Sequence, residues 1–368
     1  MASDRAVSIL HVFPSFAIGG QQRRLAALAA AFGDEFSHKI LSLDGETGAA
    51  ALFEREKPEV DTLILEKSGF VRTGNIARLK RKIAESGADI LCTYNFGSIE
   101  AAIANRLGPR LARVHHEDGF GPDEAGDALN WKRSLARRVT LSDAIVVVPS
   151  KSLERIATRQ WGVAEKRLRR IPVGVDGERF KARRQKSGGA IVVGAVGALR
   201  KEKNFERLIR CFEIAREGYD ARLAIYGDGP ERQNLEKRAS SSKARESISP
   251  PGATSTVADV LAGFDIFALS SDTEQMPTSL LEAMACGLPA IATSVGDVSE
   301  MLGTESRNFV IARDDEEAFA AGLRRLISDE ALRTALGAAN LERVRNYGIE
   351  PMVEAFRQVY RVAAETER

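Results

Sequence analysis

Two carboxylates bracket the start of a helix in the stretch SSDTEQMPTSLLEAMACGLPAIATSVGDVSE (270–300). Glu274 lies in a polar loop, and Glu282 lies about a turn and a half into the helix that follows. The opening turn, Pro277, Thr278, Ser279 and Leu280, carries no Asp or Glu. Its N–H groups and dipole stay unneutralised, which is the condition an anion site needs. Carboxylates on either side of such a helix mouth can hold hydroxyl groups around a bound phosphate. The plainer alternative for an isolated pair is two solvated charges. A second candidate is Arg200 with Lys203, just ahead of the helical run FERLIRCFEIA. Cations there oppose the helix dipole, a mild cost that a bound anion would offset; the alternative is a surface cluster. A third is the pair His115 and His116, which ends the strand RLARVHH before Glu117, Asp118 and a Gly-rich turn. Alternation puts the two rings on opposite faces, so either can be a core residue, and His116 is the favoured functional one.

The elements that must position these residues read clearly. DIFALSS (265–271) has strand length and composition, Pro277 suits the first helical position, Gly287 with Pro289 stops the helix, and PAIATSV is the next strand. At the start of the chain, the strand SILHVF (8–13) leads through PSFAIGG into a helix from Gln21. Gly19 and Gly20 there permit close approach of a backbone to a ligand, or only a tight turn. Further strands are SHKILSL (37–43), VDTLILE (60–66), ADILCTY (88–94) and DAIVVVPS (143–150), with helices between them. AIVVGAVGAL and ARLAIYGDGPE, the latter with Gly227 and Gly229, repeat the alternation in the second half. Alternating strand and helix means a doubly wound parallel sheet, with ligands at the carboxyl ends of the strands. Residues 240–256 are polar and receive no element.

Composition sets the bounds. The 368 residues suffice for two domains, and a net charge of +2 gives no argument for nucleic acid. Cys92, Cys211 and Cys286 sit in apolar segments without metal or disulfide spacing, which suggests core residues in a reducing cytosol. No signal peptide is visible, and no apolar run nears the roughly 20 residues that span a bilayer, so a soluble or peripheral protein is expected. KRSLARR (132–138) after Trp131, and RLKRK (78–82), are basic. They read either as solvated helix faces or as a surface for anionic lipid. No G-x-G-x-x-G with a following acidic residue speaks for an NAD enzyme.

The string Glu274-Gln-Met276-Pro277-Thr278-Ser279-Leu-Leu281-Glu282-Ala-Met-Ala-Cys-Gly287-Leu-Pro289-Ala-Ile-Ala-Thr293 resembles the signature of glycosyltransferase family 4, E-G-x-P-x-x-x-L-E-A-M-A-x-G-x-P-(V/A)-(V/I)-A-T. Gln275 replaces the usual Gly. GALRKEKN (197–204) is similar to G-R-L-x-x-x-K-G, with Ala198 at the Arg position and Asn204 at the last Gly; Gly227 and Gly229 match G-x-G-P; Gly296, Asp297 and Glu300 resemble G-G-x-x-E. RIPVGVDGERF resembles the end of the family's first domain, with Val173 where Asn is usual.

The resemblance implies an α/β chain of two Rossmann-like doubly wound domains facing across a cleft, the GT-B fold, at 1–175 and 176–348, with a last helix at 349–368 crossing back. It implies a retaining transferase acting on a glycan or lipid-linked acceptor in polysaccharide or glycolipid synthesis, cytoplasmic or peripheral at the inner face of the membrane. The donor would be a UDP- or GDP-sugar. Arg200 and Lys203 would grip its diphosphate beside Thr278 and Ser279. Glu282 would bind the ribose, with Met276 and Pro277 alongside. Glu274 and His116 would face the sugar, Gly227 and Gly229 would wall the base, and Gly19 and Gly20 would approach the phosphate. No cofactor is implied. With no Asp-x-Asp, no metal is implied either, and turnover is expected to survive a chelator. An epimerase or phosphorylase on this fold, and a nucleotide-binding module without catalysis, are the rival readings.

Overall fold

The computed structural model describes residues 5–54, 57–66, 72–120, 130–180 and 189–365. The chain divides into two compact units. The first runs to Gly119, resumes to Pro172 and includes the end of the chain from Glu350; the second holds Val173–Ile349. The expected boundaries were 175 and 348; the expected polar linker at 181–189 falls, but for Gly189, outside the described residues.

In the first unit the strands are β1 (Val7–Phe13), β2 (Phe36–Ser42), β3 (Glu59–Thr62), β4 (Ile90–Tyr94), β5 (Ala112–His116), β6 (Ile145–Val148) and β7 (Leu168–Arg170). All pairs are parallel, in the order β3-β2-β1-β4-β5-β6-β7. The crossovers use α1 (Gly20–Phe32), α2 (Thr73–Glu85), α3 (Ile99–Arg106), α4 (Trp131–Thr140) and α5 (Lys151–Arg159). Parallel strands are buried on both faces, and the sequence obliges: β6 is Ile-Val-Val-Val with every residue buried.

The second unit repeats the plan with β8 (Ile191–Val196), β9 (Ala221–Tyr226), β10 (Ile248–Gly252), β11 (Ile266–Leu269), β12 (Ala290–Thr293) and β13 (Val310–Ile311), in the order β10-β9-β8-β11-β12-β13. Its helices are α6 (Phe205–Ala215), α7 (Arg232–Ser240), α8 (Val257–Ala262), α9 (Thr278–Ala285), α10 (Val298–Leu302), α11 (Glu316–Ser328) and α12 (Glu330–Arg343). Leu208, Phe212, Ile225, Phe319 and Leu323 fill one core layer, and Phe267, Leu280, Leu281, Met284 and Leu302 fill another. In both sheets the order reverses beside the first strand, at β1/β4 and at β8/β11. Such reversals open a crevice at the strands' carboxyl ends.

The last helix, α13 (Ile349–Glu365), packs in the first unit. Met352, Phe356 and Tyr360, the apolar face expected from sequence, are buried, and Arg357 and Arg361 bond Glu35 at 2.9 and 2.8 Å. Three differences from the sequence reading have local causes. The unassigned stretch 240–256 contains β10, whose Pro250 and Pro251 are tolerated because it pairs only with β9 and is irregular there. The strand expected to reach residue 66 stops at Thr62; it too is an edge strand, paired with β2 alone. Helix α9 begins at Thr278, and Pro277 is its cap with φ −68°.

Candidate functional site

The crevice of the second unit gathers residues from the ends of β8, β11 and β12. Beyond β8 the chain turns through Arg200 and Lys203 into α6; beyond β11 it forms the loop Ser270–Glu274 that leads to α9. Lys203 forms an ion pair with Glu274, both mostly buried, and the Ser271 hydroxyl donates to the same carboxylate oxygen at 2.8 Å. Ser270 donates to the Lys203 carbonyl at 3.0 Å, the Asp272 N–H to the Glu202 carbonyl at 2.7 Å, and Thr293 at the end of β12 to the Ser271 carbonyl at 2.6 Å. The structure thus brings together two of the sequence-selected residues and clamps them from three strands. Helix α9 has no acidic residue in its first turn and no side-chain cap; Thr278 and Ser279 are half-buried there. Glu282 is half-buried one turn on, and burial together with its negative charge pushes the Cys286 thiol up to about 12. Met276 is buried and accepts from the Val173 N–H at 3.2 Å; Arg200 is exposed.

Glycine allows the loops to meet. A Cβ on Gly227 would run into the Gly197 carbonyl oxygen, and one on Gly229 would meet the Leu199 backbone. The two loops are bonded directly, Gly197 N–H to Tyr226 carbonyl at 3.0 Å and Leu199 N–H to Asp228 carbonyl at 2.8 Å. Gly296, at φ +51°, presses its backbone against Glu274 and Gln275. Gln275 is not among the non-glycine residues with positive φ, so its side chain in place of the family's Gly costs no backbone strain.

Sequence reasoning missed Asp272 and Arg207, and noted Asn204 only as a departure from the family's Gly. Asn204 sits at φ 45°, a left-handed conformation that Asn tolerates, which explains its presence where the family has Gly. Its side chain also accepts from the Arg207 N–H at 3.2 Å, capping α6, and donates to Asp272. Arg207 in turn bonds Asp272 at 2.8 Å and the Ser270 carbonyl at 2.9 Å. The polar run SSDT after an apolar strand was the available signal. Asn204→Gly is expected to lower stability by under 1 kcal/mol, because it keeps the conformation, whereas Asn204→Ala loses cap and conformation and costs about 2 kcal/mol in thermal or urea unfolding.

At the β1/β4 reversal of the first unit, Gly19 caps α1 in extended conformation and Gly20 opens the helix, again with no acid in its first turn. Asp118, beyond β5, is bonded by Arg24 at 2.7 Å and Gln21 at 2.6 Å, and its N–H donates to Asn95 at 2.9 Å. Burial alone would raise the Asp118 carboxyl, but the Arg24 guanidinium holds it below its ordinary value. Asn95, at φ 51°, and the Gln21–Arg24–Asp118 cluster were not singled out from sequence.

The two histidines are separated by strand alternation. His115 bonds Thr93 at 2.8 Å and lies 3.5 Å from Glu117. His116 is 1% exposed and stacks between Tyr94 and Phe356, with ring centroids at 4.5 and 5.6 Å. The favoured ring therefore lies on the face that α13 covers, a placement set by the last helix of the chain.

Each unit is thus a doubly wound, Rossmann-like sheet, and the second carries a cation–carboxylate pair where its strand order reverses. Residues 18–179 match the family Glycosyltransferase Family 4, and residues 176–343 match Glycosyl transferases group 1. The chain belongs to glycosyltransferase family 4. It is 26% identical to an exopolysaccharide phosphotransferase of Streptomyces coelicolor over 77% of this chain and 29% of that one. It is 31% identical to the lipopolysaccharide core biosynthesis glycosyltransferase LpsD of Rhizobium meliloti over 44% of this chain and 46% of that one. The chain spans less than half the length of these curated relatives. Among solved structures, Anabaena HepE in complex with UDP has the same fold, with a TM-score of 0.79 at 18% identity over 97% of this chain and 100% of that one. No helix among the described residues is long and apolar enough to cross a membrane.

Proposed function

We propose that the protein is a retaining glycosyltransferase that moves a sugar from a nucleotide-diphosphate donor to a glycan or lipid-linked acceptor in surface polysaccharide or glycolipid synthesis. The observation that carries this reading is the Lys203–Glu274 pair at the β8/β11 reversal, beside a helix start free of acidic residues. Lys203 and Arg200 hold the diphosphate with the N–H groups of Thr278 and Ser279, as a helix start favours an anion. Glu282 accepts from the ribose, and Glu274 orients Lys203 and meets the donor sugar. As the glycosidic bond breaks, these fixed positive groups stabilise the departing diphosphate, so no metal is needed. Met276 and Pro277 set the start of α9, Gly227 and Gly229 keep the wall beside the base narrow, and Gly19 and Gly20 serve the first unit's crevice. His116 has no sugar contact in this reading, because its ring is enclosed by Tyr94 and Phe356. HepE was solved with UDP and with UDP-glucose, which supports a uridine donor as the first to try.

Thermal unfolding with UDP, GDP, ADP and their sugars tests the reading. A ligand at a hundred times its dissociation constant adds about 2.7 kcal/mol of stability. One nucleotide is expected to raise the melting temperature, and Glu282→Ala to abolish the rise. No shift with any nucleotide would remove the site from unit two; a shift with no sugar transfer to any acceptor would favour the binding module.

A further inference from the structure

Arg207 is a charge buried where stability alone gives it little reason to be. It stands in the first turn of α6, where a cation opposes the helix dipole, and it is 7% exposed. A buried ion pair is often no better for stability than well-packed apolar residues of the same size. The partners of its guanidinium point to another use. One nitrogen donates to the Ser270 carbonyl at 2.9 Å, a second meets the Asp272 carboxylate at 2.8 Å, and Nε lies 3.7 Å from Glu316. Glu316 already has a cation of its own. Arg210 bonds both its oxygens at 2.9 and 2.6 Å, and those bonds hold the Glu316 carboxyl below its ordinary value. The charge of Arg207 is therefore left for Asp272.

Asp272 sits against the segment that carries Lys203. Its N–H donates to the Glu202 carbonyl at 2.7 Å, and the Asn204 amide donates to its two oxygens at 3.2 and 3.1 Å. The residues on both sides of Lys203 thus touch Asp272, while the Lys203 ammonium goes to Glu274. A lysine is a point charge on a flexible stem, free to change partner. Which carboxylate it faces depends on how well the other is neutralised.

We propose that Arg207 is a positioning residue for the donor: by neutralising Asp272 it keeps that carboxylate from drawing Lys203 away from Glu274 and the start of α9. The proposal rests on the reading of this crevice as the donor site. Without Arg207, Asp272 keeps the neutral amide of Asn204 but no cation of its own. The Lys203 ammonium is then shared between two carboxylates, and the crevice carries one more negative charge where a diphosphate must sit. Arg207 acts through Asp272 and Lys203 and needs no contact with the donor.

Calorimetric titration of the full chain with UDP, GDP and ADP tests this. For the nucleotide that wild type binds, Arg207→Gln is expected to weaken binding about tenfold, the effect of one uncompensated charge within roughly a Debye length, and less as salt rises. Adding Asp272→Asn is expected to recover most of that loss, although it removes a further charged partner from the clamp. A purely structural role predicts the reverse, a double variant that binds no better than Arg207→Gln and melts no higher. Should Arg207→Gln fail to fold, Arg207→Lys carries the same comparison. An ammonium cannot span Asp272 and the Ser270 carbonyl together, so a loss of about threefold is expected, again relieved by Asp272→Asn. Undiminished binding by the Arg207 variant, or no recovery in the double variant, overturns the proposal; poor binding by Lys203→Ala in the same series would leave the donor site standing. If wild type binds none of the three, or Lys203→Ala binds as wild type does, the donor site falls and the proposal with it.

Discussion

Lys203→Ala is expected to lower kcat/KM for sugar transfer by about two to three orders of magnitude, the loss that follows removal of one preorganised group at a developing charge. The pair it breaks spans 71 residues of sequence and joins the loop after β8 to the loop after β11. Without the ammonium, Glu274 keeps Ser271 as a partner but loses its counter-charge, and the crevice turns negative where an anionic donor must sit. Binding and turnover should fall together. Glu274→Gln separates them. It preserves shape and a hydrogen-bond acceptor while releasing the full charge of Lys203, so nucleotide diphosphate should bind as well as in wild type or better while turnover drops. Lys203→Arg keeps the charge but replaces a point donor by a planar fork, and should rescue binding more than turnover. Equal transfer rates in wild type and Lys203→Ala would sink the assignment of this crevice as the donor site.

The second large effect is on stability in mild acid. All four histidines belong to the first unit. His11 donates or accepts at 2.8 Å to Tyr94 and at 2.9 Å to His38, and His116 packs against Tyr94, Phe356 and Tyr360, with Arg24 and Asp118 close by. Burial lowers His38 to about 4; burial and then the charge of Arg24, against the opposing pull of Asp118, lower His116 to about 3. Burial, with His38 and His116 as neighbours, keeps His11 well below its usual value too. Folded values below the unfolded 6.5 mean that the unfolded chain binds more protons in acid. The neutral rings therefore cost nothing above pH 6.5, and stability is lost as pH falls from there toward 4 and 3. His38 alone accounts for roughly 3 kcal/mol over that range, a large share of a domain's usual 5–15 kcal/mol. Asp118, held below its ordinary value, is still charged in the upper part of this window. Both tryptophans, Trp131 and Trp161, lie in the first unit, so their fluorescence reports its unfolding. The melting temperature read from them should fall by about 10 °C or more between pH 7 and pH 4.5. His116→Phe should soften the fall, since neither ring nitrogen has a hydrogen-bond partner among the described residues and a phenyl ring fits the stack. Identical melting at both pH values would contradict the buried neutral cluster.

Local chemistry in the sequence determined the two alternating halves, the start of α9 without acids, and the glycines that let loops cross. Those features depend on neighbours within a few residues: apolar runs make parallel strands, and Gly287 ends a helix; which backbone Gly227 meets, that of Gly197, was decided by the fold. The sequence also carried the family signature, because that signature is itself a contiguous strand–loop–helix–strand unit. What depends on distant partners was decided only in three dimensions. Lys203 and Glu274 could be named separately but not paired. Asn204 looked like a departure until its φ and its bond to Asp272 were seen. The choice between His115 and His116 rested on which sheet face α13 covers, more than two hundred residues later in the chain. Likewise KRSLARR and RLKRK read alike as basic helices. Only the packing of Arg137 against Glu117, Phe96 and Trp161 turned the apolar side of one outward, because a helix's exposed face is set by what its other face finds to bury against.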